Sequence, residues 1–424
     1  MFLQGFPMNK AERHYKRFLN DKDKAARNRS QEKWQIVNHH FENNTFFRSK
    51  IGQIPERWED IPILTKKDLQ SPLEALLSRP YQPNAVYIGN TSGSSGHPFF
   101  YAKDKLCHAL TWIEIKRLYE LHGITLSSRQ ARFYGIPLDK KGNRLEKWKD
   151  AIANRLRFPV FDLSEQVLDG WIEKFRKESF DYIYGYASSL TYFARYLSDK
   201  GLVLKDICPS LRLCISTSEA CTSQDRKILE AGFGVKLVNE YGASEVGLIA
   251  FEDREGAWRI CEDLLYVEVT DEDGMPVEDG QPGRLLITAL YNKAMPIIRY
   301  QIGDVGVLKN DAKGNRILVS LEGRTNDFIQ LPSGKTSPGL TMYYVSRSLL
   351  ENAGFIKEFI IRQTALDTLV FDIHSSYPIG IRERQLIQDK MKEYLEPGLN
   401  LVIRQVDKIE RPDSGKIKHF YSEI

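Results

Sequence analysis

The sequence predicts an α/β protein built from more than one domain. The chain has 424 residues, of which 42% are hydrophobic, and a chain of that length usually divides into two or more domains with separate cores. Strand-like and helix-like segments alternate through its middle part, which is the order of an α/β sheet. Beyond residue 326 the helix and strand segments are typical of a small α+β domain. We therefore expect two domains, residues 1–325 and 326–424.

Helix and strand signals in the middle of the chain support the α/β order. One face of a predicted helix carries Leu190, Phe193, Tyr196 and Leu197. The segment "TSQDRKILEAGFG" opens with the capping-box spacing between Thr222 and Asp225. The segment "VKLVNEYG" that follows is typical of a buried strand running into a loop.

Composition bounds the partners and the compartment. The net charge is only +4, from 60 basic and 56 acidic side chains, so no large field of one sign is available to hold nucleic acid or an anionic membrane. The N-terminus lacks the apolar core of a signal peptide, and no apolar run reaches membrane-helix length. The five cysteines form no CxxC pair, which favours free thiols in a reducing compartment. We expect a cytoplasmic protein without nucleic-acid partners or membrane insertion.

A loop rich in glycine and hydroxyl residues lies between two short apolar runs, in "YIGNTSGSSGHPFFYAK". Backbone amides and hydroxyls in such a loop can surround phosphate oxygens, although a flexible surface turn has the same composition. The loop is not a Walker A motif, because an extended segment follows it where that motif has a lysine and a helix. The candidate phosphate-binding residues are Thr91, Ser92, Gly93, Ser94, Ser95 and Gly96.

The segment "NEYGASEVG" follows the predicted buried strand and presents three candidate ligand-binding side chains. The ring of Tyr241 can stack on a base, while Ser244 and Glu245 can bind a phosphate and Mg²⁺. A surface turn with an incidental carboxylate is the alternative interpretation.

Three later motifs add single candidate residues. "RYQIGD" ends in Asp304, a carboxylate suited to two ribose hydroxyls, although a strand followed by a turn explains the same letters. "EGRTND" offers Arg324 as a phosphate or ribose ligand, or as one side of an inter-domain salt bridge. "RPDSGKIKHF" places Lys416 on a glycine-containing loop, where a solvated surface lysine is the alternative.

The ordered set of motifs resembles a known superfamily. The hydroxyl-rich loop, YGxSE, YxxGD, GRxxD and SGK follow one another as in the adenylate-forming acyl-CoA synthetases, nonribosomal peptide adenylation domains and luciferases. "NEYGASEVG", "ISTSEACT" and "RPDSGKIK" are most similar to the phenylacetate-CoA ligase branch, and "GRTNDFIQLPSGKTSPG" resembles the CapK-like proteins of capsular-polysaccharide biosynthesis. The resemblance begins near Ile63, and the first sixty residues contain no recognisable motif.

This resemblance implies a more detailed architecture. The N-terminal domain would consist of two α/β subdomains and a small β-barrel, and the C-terminal α+β domain would be a mobile lid. The hinge between them would be Asn326 or Asp327. In some phenylacetate-CoA ligase relatives a structural zinc is present, but the region after Glu245 contains only Cys261 and no neighbouring histidine. We expect no zinc.

The resemblance also implies roles for individual residues. The loop would hold the β and γ phosphates of ATP, Ser244 would contact the α-phosphate, Glu245 would hold Mg²⁺, and Lys416 would bridge the acid and the α-phosphate. Asp304 would bind the ribose, and Arg324 the nucleotide. The adenine would be framed by Ser218, Glu219, Asn239, Glu240, Tyr241, Gly242 and Ala243.

The implied reaction joins a small carboxylic acid to ATP and passes the acyl group to coenzyme A. Tyr134, Tyr184 and Tyr186 are candidate walls of an acyl pocket for an apolar or aryl acid, although they can equally be core aromatics. Three alternatives stay open. The acyl group could be delivered to an amine such as an amino sugar, with polysaccharide-biosynthesis enzymes as partners. The protein could instead be a catalytically silent nucleotide-binding regulator, or a kinase or ATPase that releases ADP. The missing Walker A and kinase motifs disfavour the last.

Overall fold

The computed structural model describes two compact units. Its described residues are 5–19, 22–90, 99–135, 140–219, 221–312, 314–322, 328–339, 341–342, 344–346, 356–375, 377–407, 409 and 420–424. The first unit comprises the described residues within 1–91, 99–123 and 240–323, and the second those within 124–239 and 324–424. The domain boundary expected near residue 326 remains a prediction, because residues 323–327 lie outside the described residues.

Helices and strands alternate through much of the chain, as predicted. The helices are α1 Met8–Leu19, α2 Lys22–Asn43, α3 Thr45–Ile51, α4 Leu73–Leu76, α5 Lys105–Leu121, α6 Lys140–Ile152, α7 Glu165–Lys177, α8 Ala187–Asp199, α9 Leu204–Ile207, α10 Ser223–Phe233 and α11 Ile381–Tyr394. The strands are β1 Tyr87–Asn90, β2 Phe100–Lys103, β3 Gln130–Phe133, β4 Arg155–Phe158, β5 Tyr182–Tyr186, β6 Leu213–Thr217, β7 Lys236–Ala243, β8 Gly247–Glu252, β9 Trp258–Ile260, β10 Leu265–Thr270, β11 Pro282–Ala289, β12 Tyr300–Asn310, β13 Arg316–Glu322, β14 Phe328–Gln330, β15 Thr336–Pro338, β16 Ile356–Ala365, β17 Thr368–Ser375, β18 Asn400–Gln405 and β19 Phe420–Ser422. The α/β class is confirmed.

The first unit is built on an antiparallel sheet. Its strands follow the order β10-β11-β12-β13-β9-β8-β7, and β7 itself starts in the second unit and ends in the first. A hairpin of β1 and β2 and the helices α1 to α5 belong to the same unit. Apolar residues alternate into the core, for example Val267 of β10 opposite Ile287 of β11.

The N-terminal helices, which contain no motif, are packed into the first unit. The Tyr15 hydroxyl of α1 donates to Asp263 over 2.8 Å and accepts from Arg117 Nε of α5, also over 2.8 Å. Tyr15 is 2% exposed. Residues of α1 thus belong to the core of the first unit, which also contains residues of the later motifs such as Tyr300.

Arg299, the first residue of "RYQIGD", is a second link to the N-terminal segment. It is 1% exposed, and its φ of +43° is rare for a residue with a side chain. Its Nη1 donates to the carbonyl oxygens of Glu59 and Ile61, over 2.5 and 2.9 Å, and its Nη2 to that of Gly274 over 2.5 Å. Nε lies 3.3 Å from the Glu268 carboxylate. Buried charge is costly unless paired in this way, so the guanidinium holds three backbone segments together.

The second unit combines a parallel sheet with a smaller mixed sheet. β6, β5, β3 and β4 lie side by side and parallel, between crossover helices. One face of this sheet carries the aromatic core in which Phe133 stacks on Phe158 with ring centroids 4.8 Å apart. The later residues form a four-stranded sheet in the order β18-β17-β16-β19, flanked by α11.

Residues beyond 328 contact the earlier part of this second unit. Phe161 packs edge-on against Tyr344 and Tyr394, with centroids 5.0 and 5.1 Å apart. Lys335 Nζ lies 3.2 Å from the Asp162 carboxylate. These contacts hold the C-terminal α+β segment against Phe161 and Asp162. Within the described part of the chain, no helix is both long and apolar enough to cross a membrane.

A buried histidine joins α2 to the loops beside it. His40 is 0% exposed, and its Nε2 lies 2.9 Å from the Asn292 carbonyl oxygen, which can only accept. Nε2 therefore carries the hydrogen, and Nδ1 accepts from the Ser78 hydroxyl over 2.7 Å. Burial lowers the pKa of His40 to about 3, with His39 lowering it further and the Asn292 bond opposing the shift. The ring is neutral in the folded protein.

We expect this histidine to make the protein less stable in mild acid. The unfolded chain binds a proton at this ring below pH 6.5, whereas the folded chain does not until pH falls to about 3. The contribution is complete above pH 6.5 and is lost between those values, by up to about 1.4 kcal/mol per pH unit. Urea unfolding from pH 7.5 to 5 should show a shallower loss for His40→Gln than for wild type. The control is His374→Gln, at a partly exposed histidine elsewhere in the chain. Equal slopes for wild type and His40→Gln would contradict the prediction.

Candidate active site

The predicted site residues fall into two described groups and one group that lies outside the described residues. Glu240 to Glu245 and Asp304 are in the first unit, and Ser218, Glu219 and the three pocket tyrosines are in the second. Asn239 precedes the first group on β7. The residues that lie outside the described part of the chain are Thr91, Ser92, Gly93, Ser94, Ser95, Gly96, Arg324, Asn326, Asp327 and Lys416.

The strands on either side of the hydroxyl-rich loop pair with each other. β1 and β2 are antiparallel, with Asn90 opposite Phe100 and Tyr87 opposite Lys103. A Cβ on Gly89 would lie 2.3 Å from the Tyr101 hydroxyl oxygen, so glycine is required for this close pairing. The hairpin fixes the two chain positions from which the loop departs.

Glu245 lies on the tight turn that joins β7 to β8. Gly247 closes this turn with a φ of +100°, and a Cβ there would lie 2.9 Å from Thr111 Cγ2 of α5. Glu245 is 4% exposed, and its Oε1 accepts the Tyr300 hydroxyl over 2.9 Å. Tyr300 is itself fully buried at the start of β12. The turn and this hydrogen bond give the carboxylate a fixed position.

Lys103, at the end of β2, is a residue that the sequence reasoning missed. It is 3% exposed. Burial lowers the pKa of its ammonium, while the nearby Cys107 and Glu245 groups oppose that shift. Lys103 Nζ lies 3.9 Å from the position that a Cβ on Gly247 would occupy, which places the ammonium beside the turn that carries Glu245. A lysine that ends the apolar run "FFYAK" is the signal that could have revealed it.

Tyr241 and Asp304 are brought into direct contact. The Tyr241 hydroxyl donates to Asp304 Oδ2 over 2.8 Å, although the two residues are 63 positions apart. Glu240, their neighbour on β7, is 9% exposed and accepts the Tyr119 hydroxyl over 2.8 Å. Gly242 is also constrained, since a Cβ there would lie 2.6 Å from the Gly247 carbonyl oxygen. The end of β7 and the start of β12 therefore present the predicted base-binding and ribose-binding side chains together.

Ser218 and Glu219 lie on the turn after β6, in the second unit. Ser218 has a φ of +69°, a conformation that stores backbone strain and often occurs at binding sites. Its Oγ lies 3.0 Å from the Tyr134 hydroxyl oxygen. Glu219 Oε2 accepts the backbone N–H of Ser188 over 2.7 Å, at the N-terminus of α8. The carboxylate thus anchors the turn to a helix end.

The three predicted pocket tyrosines form one cluster around an arginine. Tyr134 lies 4.0 Å from Tyr186 and 5.9 Å from Tyr184, between ring centroids. Arg132 Cζ lies 4.4 Å from the ring centroid of Tyr134 and 4.8 Å from that of Tyr184. Tyr186 belongs to the buried core of this unit and Tyr134 packs against that core, while Tyr134 and Tyr184 are partly exposed. Their role as pocket walls stays a prediction. The sequence reasoning missed Arg132.

The donor set around Glu245 fits Mg²⁺. Among the described residues there is no group of three histidine, cysteine or acidic side chains that could hold a metal. Mg²⁺ does not need one, because it is usually bound through one or two carboxylates together with substrate phosphates. Tyr300 occupies one lone pair of the Glu245 carboxylate, which offers about four. Oxygen ligands therefore remain on this side chain.

Curated relatives match the resemblance inferred from the motifs. The phenylacetate-coenzyme A ligase of Thermus thermophilus is 33% identical over 286 residues, covering 63% of this chain and 61% of that protein. Protein CapK of Staphylococcus aureus is 23% identical over 294 residues, covering 66% of this chain and 60% of that protein. The chain thus spans 61% and 60% of the length of these two relatives. No protein-family model matches the chain.

Solved structures establish the fold. A 2-hydroxyisobutyryl-CoA ligase, in complex with 2-HIB-AMP and CoA in the thioesterification state, aligns over 93% of this chain and 89% of its own, with 17% identity and a TM-score of 0.59. The chain has the fold of this CoA ligase. An open conformation of the same enzyme aligns over 94% of this chain and 91% of its own, with a TM-score of 0.56 and 16% identity. Together with the curated relatives, these matches confirm the resemblance to the adenylate-forming CoA ligases and their phenylacetate-CoA ligase branch.

Proposed function

We propose that this protein activates a small carboxylic acid with ATP, forms an acyl- or aryl-adenylate and pyrophosphate, and transfers the acyl group to coenzyme A. The similarity to phenylacetate-CoA ligases supports this reaction. The observation that carries the proposal is the pair of contacts in the first unit, from Tyr241 to Asp304 and from Tyr300 to Glu245. They fix a flat aromatic ring and two carboxylates that suit base, ribose and Mg²⁺.

The nucleotide would be bound by its base, its sugar and its phosphates. Tyr241 would stack on the adenine, and its hydrogen bond would orient Asp304 toward the ribose hydroxyls. Thr91 to Gly96 would surround the β and γ phosphates, Ser244 would contact the α-phosphate, and Arg324 would hold the nucleotide. The resemblance also assigns Ser218 and Glu219 to adenine binding.

The first chemical step needs no general base. A carboxylate that attacks the α-phosphorus is already ionised, so the protein has to align it and stabilise the charge that develops around phosphorus. Lys416 would bridge the acid and the α-phosphate. Bound Mg²⁺ would neutralise phosphate charge. Glu245, buried and fixed by Tyr300, would hold the ion.

Transfer of the acyl group requires access for an acceptor. The domain 326–424 would rotate about Asn326 or Asp327 and remove Lys416 from the adenylate. Coenzyme A is the first-choice acceptor, because the similar phenylacetate-coenzyme A ligases are named for it. An amine such as an amino sugar is the alternative, and the similarity to CapK is the observation that favours it.

The experiment that tests the function is ATP–pyrophosphate exchange with purified protein and Mg²⁺. The panel contains aryl, fatty, hydroxy and amino acids, and productive acids are then incubated with coenzyme A or glucosamine. We expect exchange that depends on one class of acid, followed by a thioester product. An amide product would support the alternative acceptor. Saturable ATP binding without exchange for any acid would favour a silent regulator, and release of ADP would favour a kinase or ATPase.

A further inference from the structure

We propose that the outward face of helix α6 docks this protein on the surface of a membrane that contains anionic lipids. The inference goes beyond the proposed function and does not depend on it. It concerns only residues of the second unit. The contact is binding at the bilayer surface and not insertion of a helix across the membrane.

One side of α6 combines exposed apolar and exposed basic side chains. Its residues recur at intervals of three and four positions, which places them on a single helical face. We call this set the α6 face, and its exposed members are Arg144, Lys147, Trp148, Ala151 and Ile152. Trp148 is 59% exposed and Ile152 is 63% exposed. Large apolar side chains that lie together in this way mark an interaction site more often than scattered ones do.

The acidic residues of α6 lie on the other side of the helix, against β4. Glu146 lies 2.9 Å from Arg157, and Asp150 lies 2.9 Å from the same guanidinium and also pairs with Arg155. Glu146 pairs with Lys149 as well, at 2.8 Å. These two are the only acidic residues among the thirteen of α6, which also include five basic ones. The α6 face therefore carries cations without a carboxylate.

The two cations of the α6 face are open to a partner. Arg144 and Lys147 are both exposed, and no ion pair to either is found among the residues that the structure describes. The whole chain has a net charge of only +4, which is too small to draw it to a membrane by itself. Any attraction to an anionic surface must then come from this local concentration of positive charge.

A neighbouring loop adds a third exposed apolar side chain. The side-chain amide of Asn154, just after α6, donates to the Ser127 carbonyl oxygen over 2.8 Å. The Asn154 carbonyl oxygen accepts the backbone N–H of Gln130 over 3.1 Å. These hydrogen bonds hold the loop that carries Leu126 at the C-terminal end of α6. Leu126 is 78% exposed, and its loop, residues 124–128, contains no charged side chain.

The exposure of these side chains favours a bilayer over a protein groove. Trp148, Ile152 and Leu126 are each more than half exposed, so they protrude from the surface and do not line a cavity. A protein partner would need a matching cavity, whereas the headgroup region of a bilayer rearranges around a protruding apolar group. Tryptophan is enriched at membrane–water interfaces, and helices that combine it with basic residues lie at bilayer surfaces. The cations then select anionic lipids.

The test measures binding of the purified full chain to lipid vesicles by cosedimentation. Vesicles of phosphatidylcholine alone are compared with vesicles that also contain phosphatidylglycerol. We expect binding to the anionic vesicles only, weakened by added salt because exposed charges are screened. Arg144→Gln combined with Lys147→Gln should lower the partition coefficient about 25-fold, from the usual contribution of each cation near an anionic surface. Lys177→Gln combined with Lys227→Gln removes two exposed cations from α7 and α10 and should change nothing.

The apolar contribution is tested with a second set of variants. Trp148→Ser combined with Ile152→Ser should weaken binding to anionic vesicles and leave its salt dependence intact. Leu366→Ser, at a side chain that is 50% exposed between β16 and β17, is the control. In wild type, anionic vesicles should shift tryptophan emission to shorter wavelength, and Trp148→Phe should bind without that shift. Thermal unfolding by circular dichroism checks that each variant is folded.

The same variants identify the other occupants that this surface could have. A wild-type dimer in sedimentation velocity that Trp148→Ser with Ile152→Ser dissociates would make the α6 face a contact between copies of the chain. Equal binding of wild type and this variant to polyglutamate, without vesicle binding, would indicate a purely electrostatic site for an acidic protein. Either result would overturn the proposal. So would the absence of wild-type binding to anionic vesicles at low salt, or equal losses in the charge variant and its control.

Discussion

Replacing Lys416 with alanine should reduce acid-dependent ATP–pyrophosphate exchange by about 10² to 10³, the usual loss when a preorganised charge or donor is removed from a transition state. The expectation comes from the "SGK" motif, which lies in a segment outside the described residues. Because the charged segment "RPDSGKIKHF" is predicted from its sequence to be a loop rather than core, we expect the unfolding midpoint to stay unchanged. Exchange is measured at saturating ATP and acid, together with thermal unfolding by circular dichroism.

The same segment supplies a matched control for this experiment. Lys418 is two residues further along the chain in "SGKIKHF", and Lys418→Ala removes the same charge and the same number of atoms. We expect near-normal exchange from this variant. If Lys416→Ala retained wild-type exchange, or if both variants lost it equally, the assigned role of Lys416 would be wrong.

Replacing Glu245 with glutamine should cause a comparable loss of exchange and weaken its dependence on Mg²⁺. Glutamine keeps the shape of the side chain and an oxygen that can accept the Tyr300 hydroxyl, but it removes the negative charge. We expect exchange to fall by about 10² to 10³ and the Mg²⁺ concentration for half-maximal rate to rise. Mg²⁺ titration of the exchange rate is the measurement.

Loss of this charge also removes one of the two groups, Cys107 and Glu245, that oppose the lowering of the pKa of the buried Lys103 ammonium. The single variant should therefore be less stable, and Lys103→Met combined with Glu245→Gln should recover stability without recovering exchange. Glu255→Gln, at a side chain that is 71% exposed, is the surface control. If the exchange rate and its Mg²⁺ dependence were unchanged in Glu245→Gln, the proposed role of Glu245 in holding Mg²⁺ would be wrong.

The elements that the sequence predicts well are those with local causes. The capping box from Thr222 to Asp225 opens α10 as expected, with the Thr222 hydroxyl and the Asp225 carboxylate both engaged. The same side-chain pattern at Thr65 and Asp68 also forms its hydrogen bonds, but only a 3₁₀ turn follows. Pro72 explains the difference, because it disfavours a helical conformation at the residue before it.

The parts of the site that the sequence does not predict depend on contacts between distant residues. Motif order assigns separate roles to Tyr241 and Asp304, but nothing local says that their side chains meet. Lys103 and Arg132 belong to no motif, and a charged residue in a strand is ordinarily expected on a solvated face. Their importance follows from strand register, which brings Arg132 beside Tyr184, and from burial, which only the folded chain reveals.

Arg299 makes the motif-bearing part of the chain dependent on what precedes it. Its guanidinium donates three hydrogen bonds, to the carbonyl oxygens of Glu59, Ile61 and Gly274, and the next residue, Tyr300, positions Glu245. A chain shortened to begin at Ile63 would lose two of these three acceptors and leave the buried cation with one of them. If an unrelated sequence replaced the residues before Ile63, the protein would fold only if the new backbone placed carbonyl oxygens where those of Glu59 and Ile61 lie. The segment that carries the motifs thus begins later in the chain than the segment that is needed for folding.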